Sequence, residues 1–263
     1  MLPNVGLGTY RSFDVEDTEA ERVPLREVLR LFVERGGAMV DSSPMYGRSE
    51  AVLGRLASEL GIRNKLFLAT KVWTQGREYG IRQMETSMRK LRTDWLDLVQ
   101  VHNLVDWRTH LASLLEWKAQ GRIHYIGITH YHSSAYPEIE RIMCHEDIDF
   151  VQINYSIVDR DAERRLLPVA LEREIGVIVN CPFGQGDILN RVNGEPLPQW
   201  ASELDCRTWA QLLLKFVTSH PAVTCAIPGT RNPRHLMDNM QVAYDRPPDP
   251  GTRDKMVRLF SDI

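Results

Sequence analysis

The residues with the clearest capacity for proton transfer are an aspartate, a tyrosine, a lysine and a histidine near the ends of apolar runs. In "MVDSSPMYGRSEAVLG", residues 39–54, Asp41 ends a short apolar run and Tyr46 follows five residues later, before a helical pattern. Lys71 ends "LFLATK", and His102 ends "LDLVQVH". A phenol has a pKa of about 10, and a neighbouring cation lowers that pKa. We expect Lys71 to supply the cation, Asp41 to orient it, and His102 to donate a hydrogen bond to a carbonyl oxygen or to relay a proton.

Each of these residues also has an ordinary structural role open to it. Asp41 fits a turn or a cap, and Tyr46 fits core packing. A lone Lys71 at a strand end is commonly solvated, and a lone His102 there commonly belongs to hydrogen-bonded packing. Convergence favours chemistry, because in a parallel barrel the carboxyl ends of all strands meet at one mouth.

The elements that position these residues are eight short, nearly continuous apolar runs that alternate with amphipathic stretches. Such runs are typical of strands buried on both faces of a parallel sheet. Eight alternations in this length predict an α/β fold, a (β/α)₈ TIM barrel with short N- and C-terminal extensions, over one domain at 1–263. An open doubly wound sheet stays possible, although "GLG" at 6–8 lacks the third glycine of a dinucleotide fingerprint. The runs are "NVGLG", "AMVDSS", "LFLATKV", "LDLVQVH", "HYIGIT", "DFVQINY", "GVIVNCP" and "VTCAIPG".

Apolar periodicity predicts the helices. The first is expected to begin at Pro24 and to stop at Gly36, and C-terminal caps are expected at Gly61, Gly121 and Gly176. A long inserted loop is predicted at 183–200, and a proline-rich link with a short helix ends the chain. The other predicted helices span 48–60, 78–91, 108–120, 134–144, 161–174, 207–219 and 232–242.

Composition limits the function classes. The chain has 263 residues, 43% hydrophobic and 25% charged, with a net charge of −3, so neither a nucleic-acid nor a membrane partner is expected. The four cysteines include no C-x-x-C pair, which favours a reducing, cytoplasmic setting and no metal site. No apolar stretch of membrane-spanning length and no secretory signal pattern is present in this sequence.

Seven motifs together resemble the aldo-keto reductase superfamily. In that family an Asp, a Tyr, a Lys and a His form a catalytic tetrad, which maps here to Asp41, Tyr46, Lys71 and His102. The resemblance implies hydride transfer from NADPH to a small aldehyde or ketone, with Tyr46 as the proton donor; NAD stays possible as the cofactor. The motifs are "GLGTY" (6–10), "VDSSPMYGRSEAVLG" (40–54), "ATKVW" (69–73), "DLVQVHN" (97–103), "GRIHYIGIT" (121–129), "QINYS" (152–156) and "AIPGTRNPRHLMDN" (226–239).

The resemblance also implies cofactor-binding and substrate-binding positions. Gln152 corresponds to the residue that holds the nicotinamide carboxamide. Thr230, Arg231 and Arg234 are candidates for a 2′-phosphate at a helix N-terminus. Asp238 and Asn239 are expected to face the adenine. The remaining cofactor candidates are Thr9, Tyr10, Asp41, Thr129, His130, Asn180, Pro182, Phe183, Gly184, Asp187 and Gly229, and the substrate candidates are Tyr10, Met45, Trp73 and Asn103.

Three departures from the family pattern leave other functions open. Thr129-His130 replaces a frequent Ser-Asn, Asn180 replaces an aromatic ring under the nicotinamide, and the chain ends soon after the eighth helix. A shallow, open pocket follows from the short end. A nucleotide-binding regulatory subunit with little turnover is therefore the main alternative. A lyase or isomerase using Lys71 as an imine-forming amine is a further one.

Overall fold

The computed structural model describes residues 2–244 and 248–261. Its eight strands are parallel and pair in chain order. Parallel bridges from Val5 to Ala226 and from Gly8 to Gly229 join the first strand to the last, so the sheet closes into the predicted barrel. The strands are β1 (Leu7–Gly8), β2 (Met39–Asp41), β3 (Phe67–Val72), β4 (Leu96–His102), β5 (Ile123–His130), β6 (Phe150–Asn154), β7 (Gly176–Asn180) and β8 (Val223–Ala226).

Helices follow the strands and cover the outside of the barrel, where their apolar faces pack against outward-facing strand residues. Within the described ranges, no helix is long and apolar enough to cross a membrane. The helices are α1 (Glu19–Glu34), α2 (Ser49–Glu59), α3 (Arg77–Leu91), α4 (Trp107–Ala119), α5 (Tyr136–His145), α6 (Leu166–Glu172), α7 (Asp187–Arg191), α8 (Trp209–Thr218), α9 (Pro233–Gln241) and α10 (Pro250–Ser261).

Two local predictions are wrong. Helix α1 begins at Glu19 and not at Pro24, because Thr18 caps it and acidic residues occupy its first turn. Gly176 is not a helix cap but the first residue of β7, and Glu174 takes the left-handed conformation there with φ of 57°. The caps predicted at Gly61 and Gly121 are confirmed by φ values of 64° and 71°.

The segment predicted as a long loop after β7 contains short helical pieces. Two 3₁₀ turns, at 184–186 and 199–204, flank α7. The final helix predicted from the sequence is present as α10. Part of the proline-rich link that precedes it, at 245–247, lies outside the described residues.

The barrel interior contains two stacked layers because strand side chains alternate between faces. The lower one, here called the apolar layer, includes Met39, Ala69, Leu98, Phe150 and Ile178, which cluster with Cys225 and Ile227. Two residues further along the same strands, nearer the carboxyl ends, lies the polar layer, which consists of Asp41, Lys71, Gln100, Gln152 and Asn180.

Candidate active site

A buried ion pair forms the floor of the candidate site. Lys71 donates to both carboxylate oxygens of Asp41 and to the carbonyl oxygen of Ser42, each at 2.7 Å. Lys71 is 1% exposed and Asp41 is 2% exposed. Burial raises the pKa of Asp41 and lowers the pKa of Lys71, while their mutual attraction opposes both shifts. The pair therefore places a fixed cation at the mouth without adding net charge.

Two glutamine side chains also lie beside the carboxylate of Asp41, and the sequence analysis missed one of them, Gln100. The side-chain amides of Gln100 and Gln152 each lie 3.4 Å from an oxygen of Asp41. Gln100 also donates to the side-chain oxygen of Gln152 at 2.7 Å. The signal for Gln100 was present, because it has the same parity as His102 in β4, and the preceding residues of that parity, Leu96 and Leu98, are apolar.

Tyr46 lies directly above the pair, so the predicted convergence of the four residues occurs. The ammonium nitrogen of Lys71 is 5.1 Å from the ring centroid of Tyr46. The rings of Tyr10 and His102 lie 5.0 Å and 6.2 Å from the Tyr46 ring, centroid to centroid. The tyrosine thus stands between a buried cation and the open mouth.

The predicted direction of the Tyr46 pKa shift is wrong. Burial raises the pKa of this phenol, and the nearby charge of Asp41 raises it further. The attraction between the Lys71 ammonium and a phenolate does not outweigh these two effects. Tyr46 is consequently a protonated phenol at neutral pH, which is the form that can give a proton.

His102 is neutral at physiological pH. Burial lowers its pKa to about 3, and the positive charge of Lys71 and the ring of His130 act in the same direction. Its Nδ1 lies 3.3 Å from the hydroxyl oxygen of Ser43, a residue that the sequence analysis did not single out. A neutral imidazole has one N–H donor and one acceptor nitrogen.

A second buried carboxyl, on α2, contacts the residue before Lys71 in β3, and the sequence analysis also missed it. Glu50 on α2 is 1% exposed and accepts a hydrogen bond from the hydroxyl of Thr70 at 2.6 Å. Its charge raises the pKa of Lys71, whereas burial raises the pKa of Glu50 itself. Glu50 therefore helps to keep the lysine charged.

The predicted substrate residues line an open rim. Tyr10, Met45 and Trp73 are 51%, 41% and 37% exposed. The backbone N–H and carbonyl of Trp73 are both held by the side chain of Gln83. Asn103 has a left-handed backbone with φ of 52°, and its side-chain oxygen is buried without a hydrogen-bond partner among the described residues. The rim offers apolar area and one free acceptor.

The predicted nicotinamide residues at the ends of β5 to β7 lie on neighbouring strands. Gln152 pairs in register with Thr129, which is buried. His130 accepts the N–H of His132 at Nδ1, which leaves its other ring nitrogen as the donor. Asn180 donates to Asn154 at 2.9 Å.

The side-chain oxygen of Asn180 is a buried acceptor with no partner in the described part of the chain. A buried unsatisfied acceptor needs an explanation, and a ligand N–H such as that of a carboxamide supplies one. The strand ends therefore fit the amide that the resemblance implies. An aromatic ring is nevertheless missing from this position.

The first strand and the segment after β7 contain other predicted cofactor residues. The hydroxyl of Thr9 is buried between the carbonyl oxygen of Asp41 and the hydroxyl of Ser42, at 2.9 Å and 3.0 Å. After β7, Pro182 is buried and Phe183 is half-buried. Gly184 is left-handed with φ of 55°, and Asp187, the first residue of α7, is exposed.

The segment predicted to bind the adenosine end connects β8 to α9. Gly229 pairs with the first strand, and the hydroxyl of Thr230 accepts the N–H of Asn232 at 3.0 Å. Asn232 caps α9 by accepting the N–H of Arg234 at 2.9 Å. Arg231 is 61% exposed at its side chain and lies 3.5 Å from Glu21.

A cavity of about 720 Å³ lies beside α9, between it and the start of α8. Two exposed arginines, Arg207 and Arg234, line it, and the sequence analysis missed the first of them. Asp238 lines it too, with its carboxylate accepting from Thr208 and Gln211 at 2.7 Å each, while Asn239 is buried. Guanidinium groups suit phosphate, although the carboxylates of Asp205 and Asp238 line the same cavity.

The fold and the converging residues define a β/α barrel that gathers an aspartate, a tyrosine, a lysine and a histidine at the carboxyl ends of its strands. Residues 4–247 match the model of the Aldo/keto reductase family. The chain belongs to this family, whose members are oxidoreductases, and the resemblance stated from the motifs is confirmed.

The similarity between this chain and individual relatives extends over most of some relatives and over part of others. The methylglyoxal reductase YeaE of Escherichia coli K12 is 29% identical over 248 residues, which is 92% of this chain and 85% of that protein. The methylglyoxal reductase DkgB of Salmonella typhi is 30% identical over 161 residues, or 58% of this chain and 56% of that protein. A crystal structure of an aldo-keto reductase from Klebsiella pneumoniae in complex with NADPH has a TM-score of 0.83, 25% identity, and coverage of 98% of this chain and 91% of that one.

Proposed function

We propose that this protein reduces small aldehydes with NADPH, and that Tyr46 gives the proton to the substrate oxygen. The observation that carries the proposal is the buried Lys71–Asp41 pair directly beneath the ring of Tyr46. A structural lysine at a strand end has no need of this arrangement, because burying an ion pair costs desolvation free energy. Selection for chemistry at the mouth explains the cost.

The residues divide the proton chemistry among them. NADPH, when bound, supplies a hydride to the carbonyl carbon. Tyr46 transfers its hydroxyl proton to the carbonyl oxygen as negative charge develops there, so that the product is an alcohol and the tyrosine becomes a phenolate. The Lys71 ammonium stabilises that phenolate more than the starting phenol, which lowers the barrier selectively. Water then returns a proton to Tyr46.

His102 positions the carbonyl oxygen. Because its pKa is about 3, the ring is neutral at pH 7 and donates a hydrogen bond without competing as an acid. Asp41 keeps the lysine oriented through two short hydrogen bonds. In this mechanism, Tyr46 is the residue that gives up a proton.

NADPH is proposed over NADH because of the arginines at the adenosine end. Arg231 and Arg234 belong to the segment that resembles the 2′-phosphate site, and Arg207 faces the same cavity as Arg234. The Klebsiella relative was solved with NADPH. Arginine recognises phosphate through a planar fork of donors, which an unphosphorylated ribose does not use.

Short 2-oxoaldehydes such as methylglyoxal are the proposed substrate class. Two relatives carry that activity in their names. The rim of Tyr10, Met45 and Trp73 is exposed, so it places few restrictions on substrate shape. We expect other small aldehydes to be reduced as well.

The test is a panel of methylglyoxal and simple aldehydes with NADPH and with NADH, followed by the loss of absorbance of the reduced nicotinamide. We expect turnover with methylglyoxal and a lower KM for NADPH than for NADH. Nucleotide binding is measured in parallel by protein fluorescence. Binding of NADPH without oxidation by any carbonyl would refute the reductase and support a nucleotide-binding regulatory protein.

A further inference from the structure

The side chain of Ser43 contacts the edge of the His102 ring at Nδ1. Ser43 follows β2 in the buried turn before Tyr46, and it is fully buried. Its hydroxyl oxygen is 3.3 Å from Nδ1 of His102. The same oxygen accepts the backbone N–H of Met45 at 3.2 Å. One hydroxyl thus joins the β2 turn to the end of β4.

These two contacts decide which partner donates. The Ser43 oxygen already accepts from Met45, and its own proton needs an acceptor because the group is buried. Among the described residues, Nδ1 of His102 is the acceptor within reach. If Nδ1 carried a proton instead, the serine proton would be buried without a partner. The serine therefore donates, and Nδ1 is the unprotonated nitrogen.

The charge of the imidazole then determines whether its other nitrogen, Nε2, carries a proton. No carboxylate of the described residues contacts His102, and the groups facing it are the Lys71 ammonium and the rings of Tyr46 and His130. Such surroundings favour the neutral ring. A neutral imidazole whose Nδ1 accepts must carry its proton on Nε2.

We propose that Ser43 is a positioning residue that holds His102 in the Nε2–H tautomer, so that this N–H is available to donate to the carbonyl oxygen of the substrate. The inference rests on the proposed function, in which His102 donates that hydrogen bond. In the opposite tautomer, a lone pair would face the carbonyl oxygen and repel it. Ser43 thereby selects the useful form of the ring without touching the substrate.

The direct test is nitrogen-15 NMR of the full protein labelled in histidine. Its signals for His102 are identified by their loss in His102→Gln. In the wild type we expect the pattern of an Nε2–H imidazole across neutral pH. An Nδ1–H pattern in the wild type overturns the proposal, and this readout needs no variant of Ser43 to fold.

Variants separate positioning from packing. In Ser43→Ala we expect a mixture of tautomers and a fall in kcat of roughly tenfold, the value of about one hydrogen bond, with KM for NADPH unchanged. Ser43→Thr retains the hydroxyl and should restore both readouts. Ser113→Ala, which alters a buried serine on α4, should change neither.

The outcomes distinguish this inference from the proposed function. An active enzyme whose His102 tautomer is unchanged in Ser43→Ala overturns the role of Ser43 and leaves the reductase intact. A protein that reduces no carbonyl, yet shows the tautomer change, supports the hydrogen bond and refutes the reductase.

Discussion

The apolar layer and the polar layer are built by the same strands and lie two residues apart, yet they do different work. In the lower layer, hydrocarbon side chains such as Leu98 and Ile178 are fully buried and pack together. In the upper layer, Lys71 and Gln100 occupy equivalent positions on neighbouring strands. Both donate hydrogen bonds to the carboxylate of Asp41. A shift of two residues along each strand thus separates a layer of stabilising apolar side chains from a layer of reactive polar ones.

The difference shows how the barrel creates reactivity. The apolar layer excludes water from below, so the charges above it are poorly screened and their interactions are strong. The pKa shifts reflect this position, since burial is the largest cause for Asp41, Tyr46, Lys71 and His102 alike. The apolar layer therefore contributes to the chemistry of the site as well as to the stability of the fold.

Removing the cation of the polar layer should have the largest effect. In Lys71→Met, the carboxylate of Asp41 stays buried without its partner. We expect turnover with methylglyoxal to fall by roughly 10³-fold or more, and the free energy of unfolding to fall by about 3–5 kcal/mol. Steady-state kinetics and urea denaturation measure the two quantities.

The double variant Lys71→Met/Asp41→Asn separates these effects. Replacing both charges removes the unpaired carboxylate, so part of the stability should return while turnover stays lost. A single variant Lys71→Met with wild-type kinetics would show that the pair is structural.

A change in the apolar layer should lower the stability of the fold and leave turnover nearly unchanged. Ile178→Ala opens a cavity in the interior, and we expect the free energy of unfolding to fall by about 2–5 kcal/mol. Because the polar layer keeps its bonds, kcat should stay within about twofold of wild type at temperatures where the variant is folded. Ile178→Val is the matched control, with an expected loss of about 0.5–1.5 kcal/mol. Loss of kcat in proportion to stability would mean that the layers are not separable.

A smaller effect concerns the pH dependence of stability at the top of the polar layer. The pKa of His102 is about 3 in the folded protein against an ordinary value of 6.5, so between these values the unfolded chain binds a proton that the folded protein does not. This contribution to stability is full above pH 6.5 and is lost as pH falls towards 3. Its size between pH 8 and pH 5 is about 2 kcal/mol.

Urea denaturation of wild type and His102→Gln across this pH range measures it. The variant should lose less stability on acidification than the wild type. Equal losses in the two proteins would place the acid sensitivity on other groups.

The sequence predicted the strands and the convergence of the four ionisable residues for a simple physical reason. Strands of a parallel barrel are buried on both faces, so their apolar runs are conspicuous, and an ionisable residue such as Lys71 at the end of one stands out. All eight predicted strands are present, and the four residues converge. The helix start at Pro24 was misjudged because the capping residue, Thr18, lies earlier in the chain. The helix continues through Pro24 in its second turn, although proline cannot donate the helical hydrogen bond there.

What the sequence did not predict depends on distances between strands. Gln100 acquires its role only by lying beside Gln152, which is 52 positions away in the chain. Ser43, in the turn after β2, contacts His102 at the end of β4, and Arg207 reaches the cavity beside α9. The direction of the Tyr46 pKa shift depends on burial and on the nearby charge of Asp41. Neither is visible in residue spacing.

The most direct measurement of the central claim is the single-turnover rate of NADPH oxidation by methylglyoxal in wild type and in Tyr46→Phe. The account predicts a fall of roughly 10²–10⁴-fold, with NADPH binding retained, because the phenol is the proton donor. Tyr79→Phe, which alters an exposed tyrosine on α3, should react at the wild-type rate. A Tyr46→Phe variant that also reacts at the wild-type rate would contradict the account.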